Sequence, residues 1–254
     1  MHRVMSWLAV ATDALVLVAG GVEAAEIKVL SAGAVKPVVP GIGESFRQET
    51  GQTVTFTFDT VGALRTRASA EPADVLILSD TAVDDLVRQG MIVEGTRLDI
   101  VRVGIGVGMK QGAPLPDIST TDAFKNTLLS AKSIAYMDPA KGATSGIHFA
   151  TVLERLGIAS QVKDKTVLWP SGASADAVAS GRAELCVQQM SEILPVAGVV
   201  VVGPLPKDLQ KVTIYSAGLS AKSANLEVAR AFLAFLARPQ FKPKFAAAGL
   251  DFKE

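Results

Sequence analysis

The chain has 254 residues with 25 basic and 25 acidic side chains, a balance that excludes the basic footprint of a nucleic-acid binder and the cationic cluster of a polybasic membrane anchor. Hydrophobic residues make up 49% and aromatic ones only 6%, so Ala, Val, Leu and Ile must form the core, as suits the buried strands of an α/β protein. Cys186 is the sole cysteine and His2 and His148 the only histidines, which rules out an intramolecular disulfide and the usual zinc shells.

Residues 1–24 open with Arg3 and continue as an apolar run from Trp7 to Gly20, interrupted by Asp13. Val22 and Ala24 form a small-x-small cleavage site. This is the layout of a secretory signal peptide and is too short for a membrane span. A buried first helix is the other reading of the same run. Removal of the signal would leave a near-neutral mature chain from Ala25, with Cys186 far from any lipid-attachment position. The expectation is a soluble periplasmic protein without cofactor, monomeric and not inserted in the membrane.

Beyond the signal, strand-like runs alternate with helical patterns, the signature of βαβ units. Strands are predicted at Ile27–Leu30, Thr53–Phe58, Ala73–Leu78, Asp99–Met109, Ser133–Met137, Lys165–Trp169, Leu185–Gln189, Val199–Val202 and Val212–Ala217. Helices are predicted over Pro37–Glu49, Gly62–Ala70, Thr81–Gln89, Thr121–Leu129, Thr144–Leu156, Ser174–Ser180, Asn225–Ala237 and Pro239–Ala248. Gly104-Ile105-Gly106-Val107-Gly108 lacks the spacing of a dinucleotide loop, and no helix follows it, so it reads as strand.

Small-residue turns lead from strand ends into helices at Gly33-Ala34, Val61-Gly62 and Thr144-Ser145. Helix N-termini expose unpaired N–H groups and a partial positive charge. Several aimed at one cleft bind an anion without formal charge. Taken singly, each is also an ordinary βα turn.

The order of certain segments resembles the molybdate-binding proteins of bacterial import systems. They are Val29-Leu30-Ser31-Ala32-Gly33-Ala34, Phe58-Asp59-Thr60-Val61-Gly62-Ala63-Leu64, and Ala73-Asp74-Val75-Leu76-Ile77-Leu78-Ser79-Asp80. Asp138-Pro139 with Ala143-Thr144-Ser145-Gly146, Val187-Gln188-Gln189-Met190-Ser191-Glu192, and Ala229-Arg230-Ala231-Phe232-Leu233 before Pro239 complete the set. The resemblance implies a two-lobed type II periplasmic binding protein fold, with residues 25–102 and 217–254 in one lobe and 103–216 in the other. It implies a small anionic ligand in the cleft, hinge closure and an ABC permease as partner.

The resemblance also marks departures. It implies serines where this chain has Ala34 and Val61, and a tyrosine where it has Gln189. Each lost hydrogen bond to a charged ligand removes roughly 1.5–3 kcal/mol, which weighs against a metal oxyanion. The expected ligand is therefore an organic carboxylate, with an oxyanion such as molybdate as the other choice. The expected lining is Gly33, Ala34, Thr60, Val61, Ser79, Ala143, Thr144, Ser145 and Gln189. Arg65 is expected to fork a carboxylate, or else to be a solvated helix residue or the partner of Glu71. Capture without chemistry is the first expectation. A ligand sensor without transport and an isomerase of an unsaturated tricarboxylate such as aconitate are the alternatives. The isomerase needs a proton carrier, and His148, Glu192, Asp80 and Lys141 are the candidates. Ser145 and His148 stand three apart on a predicted helix, but no hydrolase elbow accompanies them.

Overall fold

The computed structural model describes residues 25–251, so the expected signal peptide lies outside the described residues. The chain runs β1 (Glu26–Ala32), α1 (Val39–Thr50), β2 (Thr53–Asp59), α2 (Val61–Ala70), β3 (Val75–Ser79) and α3 (Asp80–Arg88). It then crosses by β4 (Leu98–Lys110) into α4 (Thr121–Ser130), β5 (Ile134–Met137), α5 (Thr144–Arg155), α6 (Ala159–Val162) and β6 (Thr166–Trp169). There follow α7 (Ala175–Ala179), β7 (Leu185–Gln189), α8 (Met190–Ile193), β8 (Val199–Pro204), β9 (Val212–Leu219), α9 (Leu226–Leu236) and α10 (Lys242–Ala247).

The strands lie in the order β2-β1-β3-β9-β4-β7-β5-β6, with β8 also on β4. Within it, β1 pairs in parallel with β2 and β3, while β9 is antiparallel to β3 and β4. β4 is shared between two sheets. Its first half, Leu98–Gly104, pairs with β9, and its second half pairs with β7 and β8. The expected strand through Gly104–Gly108 is therefore the crossover itself. There the side chain of Gln210 takes both backbone groups of Ile105, accepting from its N–H at 2.9 Å and donating to its carbonyl at 2.8 Å.

The hydrophobic core divides at this crossover. One cluster runs from Ile27 to Val103 and resumes at Tyr215 through Leu250. The other occupies Ile105 to Leu209, with a small satellite on the far face of its sheet. Val103 and Tyr215, counted with the second lobe in the sequence reading, pack in the first core. That core joins both ends of the chain: the Phe46 ring on α1 meets Phe232 and Phe235 on α9, edge-on at 5.3 and 5.2 Å. Each such buried side chain contributes roughly 1.5–3 kcal/mol.

Helix limits follow local chemistry. α1 carries Pro40 in its first turn and stops at Gly51, whose φ of 75° suits a left-handed C-cap. Two single-turn helices, α6 and α8, go beyond the sequence reading, since a four-residue helix shows no periodicity. The predicted C-terminal helix splits into a 3-10 turn at Pro239–Phe241 followed by α10.

Candidate functional site

A cavity of about 470 Å³ lies between the two cores. Its first wall carries Gly33, Ala34, Lys36, Phe58, Asp59, Thr60 and Val61, from the ends of β1 and β2 and the starts of the segments after them. Its second wall carries Ala143, Thr144 and Ser145 at the start of α5, Gln188 and Gln189 at the end of β7, and Glu192 in α8. Tyr215, from the crossing strand β9, forms part of the lining. Parallel strands end here and helices begin, which is where an α/β sheet exposes free N–H groups.

Two full helices point their N-termini at the cavity. Thr60 caps α2, its hydroxyl accepting from the Ala63 N–H at 3.2 Å. α5 begins at Thr144 without a side-chain cap, leaving first-turn N–H groups available. Lys36 is the basic side chain in the lining and sits 5.8 Å from the Phe58 ring centre.

The lobes meet at the cavity rim. The Gly62 N–H donates to the Gly142 carbonyl at 3.1 Å, and the Thr60 hydroxyl donates to the Lys141 carbonyl. A β-carbon on Gly62 would stand 2.7 Å from the Gly142 α-carbon, and one on Gly142 would stand 2.6 Å from that of Gly62. Gly142 also has a φ of 71°, which disfavours any side chain. Only a glycine pair lets these two backbones touch.

Glu192 reaches from the second wall to the first. Its Oε1 would lie 2.9 Å from a β-carbon built on Gly33. Burial pushes its carboxyl up to about 7, against a smaller downward effect of a hydrogen bond from Gln188. Gln188 is itself fixed: its Oε1 accepts from the Ser174 N–H and hydroxyl at 2.6 and 2.8 Å, and its Nε2 donates to the Gly172 carbonyl at 3.1 Å. Beside Glu192, Gln189 Nε2 donates to the Thr144 hydroxyl at 2.7 Å and to the Tyr215 hydroxyl at 3.2 Å. Burial, and secondarily the charge of Glu192, raise the Tyr215 phenol above its usual range.

Of the expected lining, Gly33, Ala34, Thr60, Val61, Ala143, Thr144, Ser145 and Gln189 come together around the cavity. Arg65 and Ser79 do not. Arg65 turns outward and pairs with Asp85 of α3 at 3.1 Å, while Arg67, two residues on, takes Glu71. Ser79 is buried at the start of α3, its hydroxyl 3.4 Å from that of Thr81. Of the candidate proton carriers, Glu192 alone lines the cavity. His148 donates from Nε2 to the Leu209 carbonyl at 2.8 Å, and burial lowers its pKa, so it makes no pair with Ser145. Asp80 is the first residue of α3 and accepts from the Thr81 N–H at 2.8 Å, and Lys141 contributes its carbonyl at the rim. Lys36 and Tyr215 were missed by the sequence reading. Lys36 stands two residues beyond the Gly33-Ala34 turn, whereas Tyr215 had no local signal. No cluster of three or more potential metal-ligating side chains occurs among the described residues.

Among solved structures, the periplasmic molybdate-binding protein of Azotobacter vinelandii superposes with a TM-score of 0.75 at 20% identity, over 90% of this chain and 100% of that one. The sulfate-binding protein of Mycobacterium tuberculosis gives 0.72 at 18%, over 89% and 86%. An aconitate isomerase from Pseudomonas sp. is 36% identical over 218 residues, 83% of this chain and 82% of that protein. A family profile for bacterial extracellular solute-binding proteins matches residues 27–251, so the chain belongs to that family and folds as a two-lobed type II periplasmic binding protein.

Proposed function

We propose that the cleft holds a small unsaturated tricarboxylate of the aconitate type and moves a proton within it. The observation that carries this reading is Glu192, a cleft carboxyl pushed up to about 7, in a chain 36% identical to an aconitate isomerase. A group that titrates near neutrality is balanced between taking and returning a proton. As carboxylate, Glu192 takes a proton from the methylene carbon of the bound acid. The electron pair left behind spreads through the allylic system onto a carboxylate oxygen. The double bond moves to the former methylene carbon, and Glu192 returns its proton to the former vinyl carbon. No atom is gained or lost, and the geometry of the new double bond is set by the conformer held in the cleft.

The ligand's charge is met by the N-termini of α2 and α5 and by Lys36, with the Ser145 hydroxyl beside them. Arg65 has no part in this binding. Lobe one is taken as residues 25–103 and 215–254, as the packing of Val103 and Tyr215 requires, lobe two as the segment between, and closure of the Gly62–Gly142 contact excludes water.

Capture for delivery to a permease from the periplasm is the second reading, favoured by the family itself. Proton NMR of the mature protein with trans-aconitate separates the two. Growth of cis-aconitate signals, with deuterium entering from D2O, is expected. Binding detected by calorimetry without conversion would leave capture standing alone. No binding of either aconitate would reject the tricarboxylate.

A further inference from the structure

Tyr215, Thr144 and Gln189 form a closed triangle whose protons do not balance. Gln189 Nε2 donates to both hydroxyl oxygens, and these oxygens stand 3.2 Å apart. One hydroxyl therefore donates to the other. Each hydroxyl carries a single proton, so one of the two is left without an acceptor inside the triangle, whichever way they turn. A buried O–H left unpaired is costly, so it seeks an acceptor. Tyr215 is 2% exposed, and both hydroxyl-bearing residues line the cavity, so the remaining proton faces the ligand space.

The surroundings select which hydroxyl offers it. When Thr144 donates to Tyr215, the phenol oxygen accepts from Thr144 and from Gln189 and keeps its own proton to give. Hydrogen bonds received by a hydroxyl strengthen the one it donates. Tyr215 and the proposed proton carrier Glu192 line the same cavity, and after burial the charge of Glu192 raises the phenol. Its raised pKa keeps it protonated throughout the working range.

We infer that Tyr215 is a second catalytic residue, donating to the ligand oxygen on which charge builds while Glu192 holds the abstracted proton. Thr144 and Gln189 are its positioning residues. This rests on the isomerase reading. Tyr215 transfers no proton: the C–H proton goes to Glu192 and returns from it, and the phenol stabilises the intermediate charge only by its hydrogen bond.

The test is Tyr215→Phe, which keeps the ring and the 2.7 Å bond between Gln189 and Thr144. With trans-aconitate as substrate, kcat is expected to fall about 100-fold or more while KM changes little. The pH inflection set by Glu192 is expected to stay in place under the lowered plateau. Wild-type kcat in this variant overturns the inference and leaves the isomerase reading intact. An inactive wild-type protein overturns both. Thr144→Val provides a second route should Tyr215→Phe fail to fold. It is expected to lower kcat by about 10-fold at unchanged KM, and an unchanged kcat would equally overturn the assignment.

Discussion

Burial gives Glu192 a stability signature separate from any chemistry. Its carboxyl titrates at about 7 in the folded chain, against an ordinary value of 4.5. Between these values the folded state binds more protons than the unfolded state. The favourable contribution is complete below 4.5 and is lost as pH rises through 7. Glu192→Gln keeps the shape and removes the titration. At pH 8 its Tm is expected to exceed that of the parent by about 3–6 °C, partial exposure limiting the effect to about 1–2 kcal/mol. At pH 4.5 the gain should vanish, and a scanning-calorimetry series that shows no pH dependence of this difference counts against a buried, uncharged Glu192. The same variant should fail to convert trans-aconitate. Arg65→Ala carries the opposite expectation. Its partly exposed pair with Asp85 contributes at most about 1 kcal/mol, and calorimetry should find aconitate affinity unchanged. A large loss of affinity would return Arg65 to the site.

At the scale of elements, α2 and the turn before α5 hold the rim closed through the Gly62–Gly142 backbone contact and the Thr60 hydroxyl on the Lys141 carbonyl. Gly62→Ala tests this with two readouts that move apart. Alanine suits a helix better than glycine, so Tm should hold or rise. The added β-carbon meets the Gly142 backbone, so aconitate affinity should weaken by about 10-fold or more through lost bonds across the rim. Unchanged affinity would mean that the rim contact does not limit closure. The alternation of strand and helix was legible because buried Ala-Val-Leu-Ile runs and helix-spaced Phe46, Phe149 and Phe232 each mark a local period. Site segments that start helices were legible for the same reason, being small residues at fixed places in a βα unit. Arg65 was misplaced because it stands one turn along α2 from the cavity-lining Val61, beyond the cavity's reach and beside Asp85 of α3. Tyr215 was invisible because its position follows from the pairing of β9 with β3 and β4, a long-range register that no local pattern encodes.

On the scale of the whole molecule, two cores share one strand, and the return path runs through residues 205–212. At the crossing, Gln210 replaces the pairing that a neighbouring strand would give Ile105. A side-chain bracket of this kind, with the Leu205 N–H also on the Ile105 carbonyl, holds β4 in line on one side, while β7 pairs with its other side from Ile105 onward. The order in which the chain can be assembled follows from β9 lying between β3 and β4. The second core is contiguous in sequence and can form as soon as its own residues are available. The first sheet has an interior strand supplied late, after the whole of that second core has been made. Until β9 arrives, β3 presents an open edge of fully buried residues, Val75 to Ser79, with nothing to pair on that side. The N-terminal units are thus committed to a long wait during synthesis or refolding, and that interval is where aggregation and proteolysis compete most strongly with folding.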